Sequence, residues 1–156
     1  MSPVLRLAAA ALAAFALASP LCAQAAVGAA AQTAPDGTVR YAFPGPPPQL
    51  ACAPLTVCTV TLQAGESISS LATGDSARWL ISSAPSGPDG ATPLVLVKPK
   101  EPDLKTNLVI ATTRHLYYVN LVSSNSWTNP RSGFSYPAEE EAAKAADSST
   151  NLTRPR

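Results

Sequence analysis

The sequence predicts an all-β fold, an antiparallel β-sandwich of short strands, on three observations. Segments rich in β-branched and aromatic residues recur along residues 51–137, at intervals of roughly eight to twelve residues. Clusters of Gly, Pro, Asp and Ser separate these segments and are typical of turns. No segment between them has the apolar period of an α-helix. Residues 51–137 are therefore expected to form one domain around a modest core.

The first residues have the pattern of a secretory signal peptide. Arg6 supplies a positive charge, residues 7–17 are apolar, and residues 23–25 have the small-x-small pattern of a cleavage point. The apolar run is shorter than the roughly 20 residues that span a bilayer. We therefore expect residues 1–25 to be a cleaved signal peptide and the mature chain to be exported. The alternatives are an uncleaved anchor and a lipid-modified Cys22, although the bulky leucine before this cysteine disfavours the second.

Residues 26–50 are rich in Ala and Pro, and we expect them to be an extended segment that precedes the domain. Residues 38–43 alternate in polarity and could form one strand. Residues 44–48 contain four prolines, which cannot donate backbone hydrogen bonds to a helix or a sheet. These prolines favour a spacer. A proline-rich ligand for a partner groove is the alternative.

Strand segments and turns alternate through the predicted domain. A β-hairpin is expected with residues 113–115 at its tip, because two segments rich in Val, Ile, Leu and Tyr flank these three residues. The predicted strand segments of the domain are residues 57–62, 67–73, 77–83, 94–98, 106–113, 116–123 and 133–136.

The core candidates are the large apolar side chains of these segments. Trp79 and Ile81 share one face of their strand at the two-residue period. The full set of core candidates is Val57, Leu62, Ile68, Leu71, Trp79, Ile81, Val95, Val97, Leu108, Ile110, Tyr117, Val119 and Leu121.

The charge of the chain is balanced. Loss of residues 1–25 removes Arg6 and leaves 10 Lys and Arg (11 − 1) against 10 Asp and Glu, a net charge of zero. Proteins that bind nucleic acid through its phosphates usually carry a basic surface. We therefore expect no direct nucleic-acid binding.

Cys52 and Cys58 are the cysteines that remain after signal-peptide removal. An exported domain with two nearby cysteines is expected to pair them in a disulfide, and two free thiols are the alternative. Five residues between them are not a usual zinc spacing, and the chain has a single histidine. We expect no metal site and no cofactor.

One catalytic motif needs consideration, because Gly74-Asp75-Ser76 resembles the G-D-S element of some esterases. Such enzymes need a base, and the only histidine, His115, lacks the usual Asp three residues before it. A predicted strand follows Ser76, where a nucleophile turn should begin a helix. We therefore expect a turn in which Asp75 bonds nearby backbone amides, a solvated His115 at the hairpin tip, and no enzymatic activity.

Four residues are candidates for contacts with other subunits. Arg78 could pair with Glu66 or Asp75 within the domain, or it could meet a neighbour. Trp127 lies in a polar loop, where a tryptophan is costly to expose and typical of interfaces, although it could also pack over one end of the sandwich. Arg114 and Tyr136 complete the set of interface candidates.

Four stretches of this sequence resemble one protein family, in the same order and at similar spacing. They read L-Q-A-G-E-S-I-S-S-L-A-T-G-D-S-A-R-W-L-I (residues 62–81), V-K-P (97–99), T-N-L-V-I-A-T-T-R-H-L-Y-Y-V-N-L (106–121) and F-S-Y-P (134–137). These stretches are similar to the N-terminal domain of the TrbG/CagX family, periplasmic proteins of conjugative transfer and type IV secretion machines. The resemblance covers roughly residues 50–137, and the family tends to have a basic residue at the position of Arg114.

The resemblance implies a non-enzymatic structural subunit of a periplasmic core complex. Its copies would assemble through the β domain into a ring. It also implies a TrbI-like, inner-membrane-anchored partner and a small outer-membrane lipoprotein. In the family the lipoprotein contact belongs largely to a second domain, which we expect to be absent here. The lipoprotein contact and an outer-membrane association through the assembly are therefore in doubt.

Residues 138–156 are expected to be a charged linker or tail. Residues 138–146 favour a short helix with acidic residues in its first turn, and residues 147–156 are expected to be disordered.

The alternative function, from a different class, is a free-standing secreted module that binds glycan or peptide. That function requires exposed aromatic residues such as Tyr41, Trp127 and Tyr136 to line one face.

Overall fold

The computed structural model describes residues 31–126 and 128–152, and only the backbone of residues 148–152. The predicted signal peptide (residues 1–25) and Trp127 lie outside the described residues. Ten strands form two sheets that enclose one core, and one helix follows. The strands are β1 (Ala31–Thr33), β2 (Val39–Ala42), β3 (Gln49–Cys52), β4 (Cys58–Thr61), β5 (Ile68–Thr73), β6 (Trp79–Ser86), β7 (Thr92–Pro99), β8 (Lys105–Thr112), β9 (Leu116–Ser123) and β10 (Arg131–Ser135), and the helix is α1 (Pro137–Leu152).

The predicted all-β class is confirmed, and both sheets are mixed. The six-stranded sheet has the order β1-β2-β10-β4-β7-β6, and the four-stranded sheet has the order β3-β9-β8-β5. Antiparallel pairs predominate, but β10 runs parallel to both β2 and β4, and β3 runs parallel to β9. The alternation of apolar residues gave no signal for these parallel pairs, because it fixes which face a side chain occupies and not the direction of the neighbouring strand.

The segment expected to be a spacer is part of the sandwich. Residues 31–50 contribute β1, β2 and the start of β3, and both Tyr41 and Leu50 are buried in the core. The proline-rich residues 44–48 form the short connection between β2 in one sheet and β3 in the other. Residue 51 is therefore no boundary of the fold. Because prolines have no amide proton, they remove only the sheet hydrogen bonds that residues 44 and 46–48 would donate, and the strands on either side form normally.

Of the thirteen predicted core residues, one lies outside the core. Val57 is wrong as a core residue, because it precedes β4 and is 50% exposed, whereas Cys58 and Val60 point inward. Buried as predicted are Leu62, Trp79, Val95, Val97, Leu108, Ile110, Tyr117, Val119 and Leu121, with Ile68, Leu71 and Ile81 partly buried against them. Buried but not predicted are Tyr41, Leu50, Cys52, Cys58, Val60, Leu104, Phe134 and Tyr136.

A disulfide links the two sheets. Cys52 ends β3 in the four-stranded sheet, and Cys58 begins β4 in the six-stranded sheet. Their sulfurs are bonded and their Cα atoms lie 5.9 Å apart, as the sequence predicted. The loop between them contains Leu55, which has a φ of 66° and is 91% exposed. The backbone therefore holds an apolar side chain away from the core at this tip.

The helix α1 is longer than expected. Residues 147–152, expected to be disordered, continue the helix that was predicted for residues 138–146. The backbone amides of Glu139 and Glu140 donate to the carbonyl oxygen of Tyr136 at 3.1 and 3.0 Å. Side chains of residues 138–147 are exposed, and within the described residues no helix is long and apolar enough to cross a membrane.

Trp79 provides a test of the core. Its side chain is 1% exposed, so we expect Trp79→Ala to lower the free energy of unfolding by about 3–5 kcal/mol. Leu80→Ala is the matched control, because Leu80 is the next residue of the same strand and is 51% exposed. The control is expected to change the free energy by about 0.5 kcal/mol or less, as surface substitutions usually do. Urea unfolding measures both, and equal midpoints for the two variants would contradict the packing described.

Candidate functional site

A polar cluster lies where the tip of the β8–β9 hairpin meets the first turn of α1. It consists of Glu66, His115, Tyr117, Tyr136 and Glu139, which we call the junction cluster. Glu66 precedes β5, His115 and Tyr117 belong to the hairpin, and Tyr136 and Glu139 flank the start of α1. The fold thus joins three separate segments of the chain at this end of the sandwich.

Glu66 is a buried carboxylate at the centre of the cluster. Its side chain has no exposed surface, and its Oε1 accepts a hydrogen bond from the Tyr117 hydroxyl at 2.6 Å. The same oxygen lies 2.9 Å from His115 Nδ1. Burial acts to raise the pKa of Glu66, but hydrogen bonds from neighbouring side chains, those of Tyr117 and His115 among them, outweigh it and hold the pKa below its ordinary value. The cluster therefore stabilises the charged form of Glu66.

Two tyrosines extend this hydrogen bonding toward α1. The hydroxyl oxygens of Tyr117 and Tyr136 lie 2.8 Å apart. Because Tyr117 gives its single proton to Glu66, Tyr136 is the donor in this second bond. Burial is the main cause that raises the pKa of Tyr117 well above its usual range and that of Tyr136 to about 12. Both hydroxyls therefore keep their protons at neutral pH and remain donors.

His115 is enclosed by the cluster, contrary to the expectation of a solvated turn residue. Its side chain is 16% exposed. The imidazole stacks on the Tyr136 ring, with centroids 5.6 Å apart, and meets the edge of Phe43 at 4.7 Å. Each ring nitrogen faces a carboxylate: Nδ1 faces Glu66, and Nε2 lies 3.2 Å from Glu139 Oε1. The aromatic neighbours come from distant segments, which is why the local turn sequence did not predict this environment.

Glu139 connects α1 to the sandwich. Its Oε2 accepts from Gln63 Nε2 at 2.7 Å and from Arg114 Nη2 at 3.1 Å, while its Oε1 faces His115. The Gln63 hydrogen bond is the main cause that lowers the pKa of Glu139, and the Arg114 and His115 charges add to it against burial. Glu139 is 43% exposed, so each of these contacts contributes little on its own. Together they fix the point and direction at which the helix leaves the domain.

The junction cluster has the chemistry of a structural joint. Its two hydroxyls, its imidazole, Glu66 Oε1 and Glu139 Oε1 contact one another, while Glu66 Oε2 is buried without a hydrogen-bond partner. Ser76 is not among the contacts of His115 in the described part of the chain. Ser76 follows Asp75, whose carboxylate accepts from the Arg78 backbone amide at 3.1 Å, the turn expected from the sequence. Within residues 31–126 and 128–152, no group of three or more His, Cys, Asp and Glu residues is placed to hold a metal ion.

The predicted interface residues occupy different environments. Arg78 Nε lies 2.6 Å from Asp75 Oδ2, so its internal pairing is with Asp75. Arg114 pairs with Glu139 and remains 45% exposed. Tyr136 was predicted at an interface but is 7% exposed, because its ring packs against His115 and its hydroxyl bonds Tyr117. Trp127 lies outside the described residues.

Sequence patterns did not indicate that these residues form a cluster. Glu66 was considered only as a partner of Arg78, and Phe43, Gln63 and Glu139 were not singled out. One signal was present, since Glu66 is the only charged residue between residues 41 and 74. A carboxylate in such a stretch is more informative than one in a charged surface segment, because burying it requires dedicated donors.

Comparisons with known proteins agree on one family. A family model named CagX and described as a conjugal transfer protein matches residues 38–154. The chain is 40% identical over 121 residues to a protein of Sinorhizobium fredii named probable conjugal transfer protein TrbG. That alignment covers 77% of this chain and 44% of the relative, so the chain spans less than half of the relative's length. The matched range contains β2 to β10, the junction cluster and α1.

Removal of the Tyr117 hydroxyl tests the central hydrogen bonds. Tyr117→Phe leaves Glu66 without its shortest donor and Tyr136 without its acceptor, so we expect a loss of about 1–3 kcal/mol in the free energy of unfolding. The matched control is Tyr118→Phe, since Tyr118 is the next residue of β9 and is 51% exposed. Chemical denaturation of both variants gives the comparison. Equal stability of the two would show that the Tyr117 hydroxyl contributes nothing.

The lowered pKa of Glu66 predicts a loss of stability in acid. A carboxyl group whose folded pKa lies below its ordinary value of 4.5 stabilises the fold above that value. This contribution disappears as the pH falls from 4.5 toward the lowered folded pKa. We expect the free energy of unfolding to fall less steeply between about pH 6 and pH 3 in Glu66→Gln than in the natural chain.

The control for this pH series is Glu141→Gln on the exposed surface of α1. Its profile should follow that of the natural chain. Identical acid profiles for the natural chain and Glu66→Gln would contradict the assignment of Glu66 as a stabilising carboxylate.

Proposed function

This chain belongs to the CagX family of conjugal transfer proteins, and we propose that it is a periplasmic structural subunit of a conjugative transfer or type IV secretion core complex. The observation that carries this proposal is the family match over residues 38–154, which extends across nearly the whole β-sandwich and α1. The subunit works by assembly and not by catalysis. Its copies associate side by side in a ring through the β domain.

The junction cluster supports a role in assembly. A buried carboxylate is costly unless its donors are placed for it, and here they come from the sandwich and the helix start together. The result is a helix held in one orientation by Glu139 while the rest of its described side chains remain exposed. A fixed exposed helix beside a β domain is suited to present a defined surface to neighbouring subunits.

The partners of this proposal are other copies of the chain and a TrbI-like subunit anchored in the inner membrane. Arg114, at the hairpin tip beside the helix, is the exposed charge most directly connected to the junction cluster. The balanced charge of the sequence supports a subunit that does not bind the transferred nucleic acid itself. The contact with an outer-membrane lipoprotein is not part of the proposal, because the family resemblance assigns it largely to a second domain.

A free-standing binding module is less well supported. That function requires an exposed aromatic face, yet Tyr41 and Tyr136 are 8% and 7% exposed. Their hydroxyls bond within the sandwich, Tyr41 with Asn129 and Tyr136 with Tyr117. No observation favours this function over assembly.

Co-purification from envelopes tests the proposed function. The chain is tagged at its C-terminus, extracted in mild detergent and separated by particle size. We expect recovery in a complex far larger than a monomer, together with a TrbI-like protein. Recovery of the chain solely as a periplasmic monomer would overturn the proposal.

A matched pair of variants tests the helix joint in the same experiment. Glu139→Ala removes the contacts with Gln63, Arg114 and His115, and we expect a several-fold lower recovery in the large complex. Glu141→Ala, on the exposed part of the same helix, should be recovered like the natural chain. Equal recovery of the two variants would show that assembly does not depend on the orientation of α1.

A further inference from the structure

Among residues 31–126 and 128–152, the six-stranded sheet ends in two strands that each have one unpaired edge, β1 and β6. The four-stranded sheet differs, because the free edge of β3 is covered by Asn129, whose backbone amide donates to the Ala51 carbonyl at 2.9 Å and whose Oδ1 accepts from the Ala51 amide. Its other edge strand, β5, has a register irregularity between Ile68 and Ser70. Covered and irregular edges do not readily add another strand. Within the described residues, the outer edges of β1 and β6 are neither covered in this way nor irregular in register.

The pairing of β6 with β7 shows which peptide groups of β6 point outward. Pro93 and Pro99 lie opposite Pro85 and Trp79, and prolines cannot donate to a ladder. The Lys100 amide donates to the Arg78 carbonyl at 2.9 Å, so even-numbered residues of β6 exchange hydrogen bonds with β7. Ile81 and Ser83 therefore direct their amide and carbonyl groups to the free edge. Within the described residues, no hydrogen bond reaches these groups from that side.

The same alternation applies to β1. The Ala34 amide donates to the Thr38 carbonyl at 2.9 Å, which places the peptide groups of residues 34 and 32 on the side of β2. Ala31 and Thr33 therefore direct their peptide groups outward. Each free edge of the sheet thus offers two alternate residues, i and i+2, with outward amide and carbonyl groups.

The two edges also run in opposite directions. β1 is antiparallel to β2, β2 and β4 are each parallel to β10, and two antiparallel steps lead from β4 through β7 to β6. β6 therefore has the direction of β4, and β1 has the opposite direction. When copies repeat around an axis along the strands, β6 of one copy meets β1 of the next in an antiparallel arrangement.

We propose that β6 of one copy pairs with β1 of the next copy, with Ile81 opposite Thr33 and Ser83 opposite Ala31. This inference rests on the proposed ring and names the surface that forms it. It supplies four backbone hydrogen bonds per contact and continues the six-stranded sheet from copy to copy. The contact joins two different surfaces, and repetition of such a contact closes a ring when the rotation closes.

The composition of the two edges fits this pairing. Neither β1 (A-Q-T) nor β6 (W-L-I-S-S-A-P-S) has a charged residue, and charges are one of the means by which edge strands are kept apart. Pro85 has no amide proton, so the outward donors of β6 within the strand extend only as far as Ser83. A strand as short as β1 matches the available length.

A lysine at the edge tests the pairing. Ser83 is exposed, so Ser83→Lys is expected to keep the unfolding midpoint of the natural chain while its charge blocks strand addition. We expect recovery in the large envelope complex to fall roughly tenfold or more, because four hydrogen bonds per contact are lost. The matched control is Ser70→Lys, an equal charge change at an exposed position of β5, which should leave recovery unchanged.

A cysteine pair tests the register without disturbing the fold. Ala31→Cys combined with Ser83→Cys should give a ladder of covalent multimers in intact envelopes treated with a short thiol cross-linker. Ala31→Cys combined with Ser70→Cys should give none. If the natural chain assembles but the first pair does not cross-link, the edge pairing is overturned and the ring subunit stands. A natural chain found only as a monomer overturns both proposals.

Discussion

The six-stranded sheet depends on β10, because this strand lies between the N-terminal strands and the rest of the sheet. It pairs in parallel with β2 through Ser132 and Val39, and with β4 through Arg131 and Thr59. Without β10, the β1–β2 pair has no contact with the other strands of its sheet. Gly133 permits this close arrangement, since a Cβ at that position would lie 3.2 Å from the Thr61 carbonyl oxygen. The same strand leads directly into Tyr136 and α1, so the placement of the helix follows from the pairing of β10.

The polar joint beside β10 has a similar physical basis. An ionised carboxylate enters a protein interior only when charge-stabilising donors accompany it, and Glu66 has them from the hairpin. Those donors in turn contact the start of α1: Tyr117 bonds Tyr136, which directly precedes the helix, and His115 faces Glu139 in its first turn. Helix, hairpin and the segment before β5 are therefore mutually dependent. This dependence explains why a helix without an apolar face beyond alanine has a defined orientation at its first turn.

The sequence predicted the parts of this fold that local patterns determine. Alternation located β4 to β10, and the hairpin tip at residues 113–115 was placed correctly because two strong strand segments flank it. β3 was missed, since its four residues between prolines and a loop are too few to show a period. Val57 was misplaced because residue type alone does not show where a strand begins. The junction cluster could not be predicted, as Glu66, His115 and Glu139 are adjacent only after both sheets have formed.

The disulfide has a consequence for the order in which the domain folds. Most contacts of the sheets join residues far apart in sequence, and β2 can pair with β10 only when nearly the whole chain is available. Such non-local pairing is slow, because loop closure precedes the contacts that offset it. The Cys52–Cys58 link is different, since six positions separate two residues that belong to different sheets. Its loop is short enough to close without the non-local pairs, and once oxidised it holds the end of β3 beside the start of β4, where the chain crosses from one sheet to the other.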